Sequence, residues 1–267
     1  MRMNALVITA DDLGISSGVT RGVLEAHRRG VVRSTSLLVT FPAGEEAAGA
    51  AHAEPGIEVG LHLDFVGGRP ASDPALVRSL VDSDGRFHPL GEFTVRLALG
   101  RIRLAEIATE TRAQAERAAG WGIAASAWDS HRHTHLMPPI THVIATVARE
   151  RGVRWLRRTR PPRAAASLKA QVLGAASIAG ALLRRGLPGN DWFVDLSALP
   201  HRADAASVAL LAAYPGIGEI IAHPGYPDDE LRATGDGLVL RRHDDLMVLV
   251  DPLLRSALGD TIRWRVP

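Results

Sequence analysis

The stretch Ala5–Thr9, ALVIT, is a short, continuous apolar run, and it decides the fold that the sequence predicts. A run of this kind between turn residues is typical of a strand that is buried on both faces of a parallel sheet. The pattern continues outward, with helices predicted at 17–30 and 44–53 and strands predicted at 34–40 and 57–64. This βαβαβ alternation predicts right-handed crossovers around parallel strands.

Residues 67–103 interrupt this alternation with turn-forming segments, and we expect them to form an excursion that covers the substrate site. Beyond them helices are predicted at 104–119, 138–151, 167–185, 203–213 and 241–258, and strands at 127–133, 154–156, 219–222 and 261–265. We find no linker or internal repeat, so the sequence predicts one domain over residues 1–267. The predicted fold class is α/β, a distorted or incomplete (β/α) barrel with parallel strands.

Composition excludes several classes of protein. The chain has 267 residues, no cysteine and a formal net charge of +2. Disulfides and thiolate metal sites are therefore excluded, and nothing indicates the basic face that binds nucleic acid. The N-terminal apolar run is too short for a signal peptide, and the low-charge stretch 170–183 is too short for a membrane span. We expect a soluble, cytoplasmic protein, with a homodimer as one oligomeric state that the sequence permits.

Two adjacent carboxylates, Asp11 and Asp12, follow the first predicted strand. In parallel α/β folds the functional site lies at the carboxyl ends of the strands. Neighbouring side chains on extended backbone point in opposite directions, so one aspartate can bind a metal ion while the other has a different task. A helix N-cap or a turn is the alternative interpretation of this pair.

Histidines mark the ends of further predicted strands. His62 ends the third one, although a lone histidine there is more often structural than a ligand. The segment 129–135, DSHRHTH, is the strongest signal, because an extended strand would place four of its side chains on one face: Asp129, His131, His133 and His135. Three imidazoles together indicate a metal or catalytic site, but the pattern does not say which of them binds the metal. The later ones are expected to contact substrate or to support the ligands.

His223 lies at the end of another predicted strand, within IAHPGY at 221–226, and is a candidate general acid. Asp12, His62 and one histidine of the 129–135 segment form a His₂-carboxylate set that leaves coordination positions open, as catalytic metal sites do. Asp129 is expected to orient one of the ligand histidines.

An arginine-rich run occupies residues 151–163. Its members are expected on the surface, in water or in ion pairs, with contacts to an anionic substrate or a partner subunit as the alternative: Arg151, Arg154, Arg157, Arg158, Arg160 and Arg163. Aromatic residues make up only 4% of the chain, which favours a small substrate. Candidate stacking residues are Trp121, Trp128, Trp155, Trp192 and Tyr226, although most of these are expected to pack in the core.

Four segments jointly resemble the YdjC-like family of carbohydrate deacetylases, which includes chitooligosaccharide deacetylases. They are ADDLGIS at 10–16, GLHL at 60–63, DSHRHTH at 129–135 and HPGY at 223–226. Their order and spacing extend the resemblance from residue 5 to at least residue 226. It implies a β/α-barrel-like fold, one divalent metal ion usually assigned as magnesium, and hydrolysis of an N-acetyl group on a sugar.

The resemblance also assigns roles. Asp12, His62 and His131 match the metal-ligand positions, and Asp11 matches the general base. His223 resembles the protonating histidine of related polysaccharide deacetylases. His133, His135 and Tyr226 are left as substrate contacts or as supports of the site. Zinc is the alternative metal, since imidazole ligands favour zinc over magnesium.

Three other functions stay open at this stage. The His-X-His-X-His run also resembles metallophosphoesterases, which usually carry more carboxylates at a multinuclear site. A related line of the same family acts in hopanoid lipid synthesis, so the acetylated group can belong to a glycosylated lipid. A sugar- or metal-binding protein without catalysis is the third alternative, and the presence of both Asp11 and Asp12 argues against it.

Overall fold

The structure is a computed structural model that describes residues 5–161, 168–184, 186–199 and 204–266. In these ranges eight parallel strands form one sheet. The strands are β1 Ala5–Leu13, β2 Ser34–Leu37, β3 Glu58–Leu63, β4 Ala127–Ser130, β5 Trp155–Leu156, β6 Trp192–Asp195, β7 Ile217–Ala222 and β8 Ile262–Arg263. Their order is β5-β4-β3-β2-β1-β7-β6, and β8 pairs with β1.

Helices connect successive strands of this sheet. They are α1 Ser17–Arg29, α2 Gly44–His52, α3 Leu90–Ala98, α4 Leu104–Gly120, α5 Pro138–Glu150, α6 Leu168–Ala179, α7 Ala205–Leu211, α8 Asp229–Ala233, α9 Arg241–Leu249 and α10 Pro252–Leu258. No helix in the described ranges combines the length and apolar character needed to cross a membrane.

The two outer strands of the sheet approach each other. Leu156 N donates to Pro188 O at 2.9 Å, and Phe193 N donates to Arg160 O at 2.8 Å. The sheet therefore curls into an incomplete (β/α) barrel, which confirms the predicted fold class. The first quoted strand is central to it. Leu6 and Ile8 on one face and Val7 and Thr9 on the other are all at most 1% exposed, as expected for a strand covered on both faces.

The register of the strands determines which polar residues lie at the same height along the barrel axis. Ala10 of β1 pairs with Ala222 of β7, and His62 of β3 pairs with Asp129 of β4. Asp11 and His223 directly follow the first of these pairs. The carboxyl ends of β1, β3, β4 and β7 consequently bring the candidate site residues to one end of the barrel.

The segment 127–133 was predicted as one strand, and this is wrong beyond Ser130. A 3₁₀ turn covers His131–Leu136, with Arg132 and His133 at φ values of 54° and 56°. Side chains from 131 onward therefore do not alternate as they would in a strand, and the predicted common face of Asp129, His131, His133 and His135 does not form.

Other boundaries also differ. The helix predicted at 241–258 is two helices, because Asp251 caps a new one that has Pro252 in its first turn. The four-residue strand β6 was missed, and the excursion 67–103 contains α3. Ser167 and Arg185, the two end residues of the helix predicted at 167–185, lie outside the described ranges. Arg163, His201 and Ala203 also lie outside them.

Candidate metal centre

Three side chains converge at the carboxyl end of the sheet. Asp12 Oδ1 lies 3.3 Å from His62 Nε2 and 2.9 Å from His131 Nδ1. The donor atoms of all three residues lie within 4.8 Å of one another, and each residue is buried. Ligand atoms bound to one ion at about 2.0–2.2 Å are separated by about 3 Å, so this spacing suits a single cation.

A buried carboxylate orients the first imidazole. His62 Nδ1 hydrogen-bonds Asp129 Oδ1 at 2.6 Å, which directs Nε2 toward Asp12. Partners of this kind fix the ring and raise the basicity of a ligand histidine. Burial opposes protonation of His62, but the charges of Asp129 and Asp11 outweigh it and raise its pKa to about 10. The position thus attracts positive charge, which a proton or a metal ion can supply.

The backbone at Asp12 is in a rare conformation. Its φ is 67°, and the pairing of β1 with β2 shifts register between Ala10 and Leu13. This irregularity re-aims the side chain at the strand end, as bulges often do beside functional sites. Asp12 Oδ2 accepts from Arg242 Nη2 at 2.6 Å. Burial would raise the pKa of Asp12, but the charges of Arg242 and His131 hold it well below its ordinary value.

Asp11 points to a different partner from its neighbour. Its carboxylate forms two hydrogen bonds with Arg157, from Nη1 to Oδ2 at 2.6 Å and from Nη2 to Oδ1 at 2.8 Å. Arg157 is completely buried and also contacts Asp129 Oδ2 at 2.7 Å and Glu219 Oε1 at 3.0 Å. These three carboxylates outweigh the effect of burial and raise the pKa of Arg157 well above its ordinary value.

Arg157 corrects the interpretation of the arginine-rich run. The expected surface position is wrong for this residue, whereas Arg151 is exposed and pairs with Glu116. Arg157 directly follows the predicted strand 154–156, and that strand-end position was the signal that sequence reasoning overlooked. Arg163 lies outside the described ranges.

Two further buried arginines belong to the cluster. Arg242 also binds Asp236 at 2.8 Å, and Arg265 binds Asp129 Oδ2 at 2.8 Å and Glu58. Arg242 lies inside a predicted helix with no local signal for a functional position. Four buried carboxylates, Asp11, Asp12, Asp129 and Glu219, surround three buried arginines, Arg157, Arg242 and Arg265. The excess of negative charge suits a bound cation.

His223 lies beside Asp11 across the β1–β7 pairing. Its backbone N donates to Asp245 Oδ2 at 2.9 Å, and its Nδ1 has no hydrogen-bond partner within the described ranges. Burial raises the pKa of Asp245, and the nearby His223 opposes that rise. The main chain therefore fixes the position of His223, while Nδ1 stays without a hydrogen-bond partner among the described residues.

The other predicted site residues lie around this centre. His135 is fully buried, with Nδ1 2.6 Å from Ser130 Oγ and Nε2 3.2 Å from Arg157 O, and burial lowers its pKa to about 3. His133 packs edge-on against Phe193 with 5.5 Å between ring centroids. Tyr226 donates its hydroxyl to Glu25 at 2.6 Å.

A cavity of about 540 Å³ opens beside His131. One side is formed by residues 233–236 and another by the excursion, including Arg86 and Phe87. A second cavity of about 330 Å³ shares Phe41 and Arg86 with the first. Its walls include Arg69, Arg117 and Trp121, whereas Trp128, Trp155 and Trp192 are buried in the core.

The model of the YdjC-like protein family matches residues 5–260. The chain belongs to the YdjC-like family. This family member is 32% identical over 259 residues to a carbohydrate deacetylase of Brevibacillus brevis, covering 96% of this chain and 94% of the relative. It is 32% identical over 256 residues to a carbohydrate deacetylase of Geobacillus stearothermophilus, covering 95% and 92%.

A solved structure has a similar fold. The family member matches a crystal structure from Enterococcus faecalis V583, described as a candidate cellobiose-phosphate cleavage protein, with a TM-score of 0.80 and 26% identity. The match covers 96% of this chain and 94% of the other.

Proposed function

We propose that this protein is a metal-dependent hydrolase that removes the acetyl group from an N-acetylated amino sugar or a small chitooligosaccharide. The observation that carries the proposal is the convergence of Asp12, His62 and His131 on one point. Asp11 lies next to them, and its carboxylate is bound by Arg157 instead. The names of the relatives support the acetylated-sugar chemistry.

Asp12, His62 and His131 are the residues that would hold one divalent ion. When bound, the ion supplies Lewis acidity, which acidifies water and stabilises charge on a carbonyl oxygen. Zinc suits two imidazoles and a carboxylate, and magnesium is the metal that the family resemblance implies. The spacing of the donor atoms and the excess of buried carboxylates support a cation at this position.

Asp11 is the proposed general base. Its two hydrogen bonds from Arg157 fix the orientation of the carboxylate, while each oxygen retains a lone pair that can accept a proton from water. The water oxygen then attacks the acetamide carbonyl, and the bond between that carbon and the sugar nitrogen breaks. His223 donates a proton to the departing nitrogen, which leaves acetate and a free amino sugar.

The cavity beside His131 is the proposed substrate cleft. Its volume of about 540 Å³ lies in the ordinary range for small-molecule sites. The excursion 67–103 forms part of its wall, and the adjoining cavity with Trp121 offers a stacking surface for a second sugar ring. Three arginines of that cavity, Arg69, Arg86 and Arg117, favour a sugar that carries a phosphate as a second candidate substrate.

Acetate release tests the proposal. The purified protein is assayed with mono- to tetrameric N-acetylated amino sugars, their phosphorylated forms, an acetylated glycolipid and simple phosphate esters. Each assay is repeated after chelation and after addition of zinc or magnesium. We expect acetate from a small sugar, loss of activity on chelation and recovery with one metal. Phosphate release without acetate would favour a metallophosphoesterase, and binding without any turnover would favour a non-catalytic protein.

A further inference from the structure

The segment from Arg151 to Asn190 has an unusual charge balance. It contains eight arginines and one lysine and no aspartate or glutamate, although the whole chain carries a net charge of only +2. Among the arginines of this segment that the structure describes, only Arg157 takes part in the candidate metal centre. The remaining positive charge therefore needs a separate explanation.

Part of this segment encloses a pocket away from the metal ligands. A cavity of about 380 Å³ lies between the end of β5, the second half of α6 and the loop that leads into β6. Three arginines, Arg158, Arg160 and Arg184, line it together with Ser177 and Asn190. Arg157 directs its guanidinium to Asp11, whereas the next residue, Arg158, lines this pocket.

Arg184 is a buried cation that has no carboxylate partner in the part of the chain that the structure describes. It is 4% exposed, and its Nη2 donates to Ser177 Oγ at 3.1 Å. Its Nε and Nη1 have no hydrogen-bond partner in the ranges that the structure describes. Leaving such donors buried and unpaired is costly. Burial and the positive charge of Arg158 lower the pKa of Arg184 to about 10, as expected where no anion compensates them.

The surrounding backbone makes room for this guanidinium. A Cβ at Gly180 would lie 2.8 Å from Arg184 Nη1, and a Cβ at Gly189 would lie 3.2 Å from Arg158 Nε. Glycine at both positions therefore leaves space for the two arginines.

The side chain of Asn190 holds the main chain of Arg158 in place. Arg158 N donates to Asn190 Oδ1 at 2.8 Å, and Arg158 O accepts from Asn190 Nδ2 at 2.6 Å. Arg158 Nη2 donates to Leu187 O at 3.0 Å. The carboxylate of Asp191, at the edge of the pocket, already accepts from Ile217 N at 2.9 Å. The pocket thus presents fixed positive donors.

We propose that this pocket is a binding site for a phosphate group, held by Arg184 and Arg158 and separate from the metal centre. Guanidinium groups present paired N–H donors that match phosphate oxygens, and an anion in this pocket would compensate the buried positive charge of Arg184. The volume accommodates inorganic phosphate or a small phosphate ester. Because Arg158 directly follows Arg157, the ligand is bound one residue from the arginine that holds Asp11.

Isothermal titration of the metal-loaded full chain with inorganic phosphate, glucose 6-phosphate and glucose tests this site at constant ionic strength. The variants are Arg184→Met and Arg158→Gln, and the exposed Arg255→Gln is the control. We expect phosphate to bind, glucose not to bind, and each pocket variant to weaken binding by about tenfold or more, since charged hydrogen bonds are lost. The stronger of the two phosphate ligands identifies the source of the phosphate group.

Two controls keep the result interpretable. Thermal unfolding checks that the variants fold, and Arg184→Met is expected to fold in phosphate-free buffer because it removes an uncompensated buried charge. Asp12→Asn is the second control, because phosphate that binds at the metal centre should bind more weakly to this variant. The proposal is overturned if the folded wild type binds no phosphate, or if phosphate affinity falls in Asp12→Asn and not in the two pocket variants.

Discussion

Arg157 and Asp11 form a bidentate ion pair inside the barrel, with N–O distances of 2.6 and 2.8 Å, although 146 positions separate them in the chain. The same guanidinium reaches Asp129, which orients His62. One buried arginine therefore connects the proposed base with the support of a proposed metal ligand.

Replacement of Arg157 by methionine is expected to destabilise the fold. It leaves Asp11, Asp129 and Glu219 with less compensation inside the barrel, and loss of one partner from a buried ion pair costs about 3–5 kcal/mol. Urea denaturation measures the free energy of unfolding. The matched control is Arg154→Met at an exposed position, where the free energy of unfolding is expected to change by about 0.5 kcal/mol or less. Equal stabilities of the two variants would contradict the buried network.

Asp11→Asn is expected to abolish turnover while metal stays bound. The amide cannot accept the proton of the attacking water, so kcat should fall by about 10²–10⁴-fold. Asp12→Asn is the contrasting variant, since it alters a proposed ligand and should reduce metal content. Metal analysis beside acetate release separates the two effects. Full activity of Asp11→Asn on an established substrate would show that Asp11 is not the base.

Asp129→Asn is expected to weaken metal binding through His62. Loss of the carboxylate behind a ligand histidine typically lowers metal affinity by about 10–100-fold. Glu219→Gln is the control, because Glu219 contacts the same Arg157 but forms no hydrogen bond or ion pair with His62 in the described ranges. Competition with a chromophoric chelator measures affinity in both variants. Equal affinities would remove Asp129 from its proposed orienting role.

His223→Gln is expected to lower kcat by about 10²–10⁴-fold, because the departing nitrogen loses its proton donor. Metal content and KM should change little. His142→Gln, at an exposed position of α5, is the control and should retain wild-type activity. A substrate with an activated leaving group should be less sensitive to His223→Gln. If both substrates lose activity equally, His223 does not act as the acid.

Glu110→Ala is expected to loosen the excursion over the cleft. Glu110 is fully buried and accepts hydrogen bonds from Ala71 N at 2.7 Å, Ser72 N at 3.1 Å and Ser72 Oγ at 2.6 Å. Each lost hydrogen bond to a charged group costs up to about 3 kcal/mol, so the thermal stability of the variant should fall. Because the excursion lines the cleft, KM should rise by a larger factor than kcat falls. Glu116→Ala, exposed on the same helix, is the control. An unchanged KM would show that the excursion does not contribute to substrate binding.

Strand ends were the most informative feature of the sequence. Asp12, His62 and His131 lie at the carboxyl ends of separate strands. Parallel strands present these ends on one side of the sheet, so the proximity of the three residues followed from the fold class. Even there, local geometry escaped prediction. The 3₁₀ turn after Ser130 replaces the expected strand, and Asp12 has a positive φ that no sequence pattern indicated.

What the sequence by itself determined was the parallel α/β architecture, the strand-end positions of the acidic and histidine residues and the family to which they belong. These depend on local periodicity and on one rule of topology. Only the tertiary structure decided that Arg157 binds Asp11 while Arg242 binds Asp12, and that Arg184 is buried with no carboxylate partner among the described residues. Those relationships join residues far apart in the chain, and they depend on strand register and helix packing, which residue type alone does not specify.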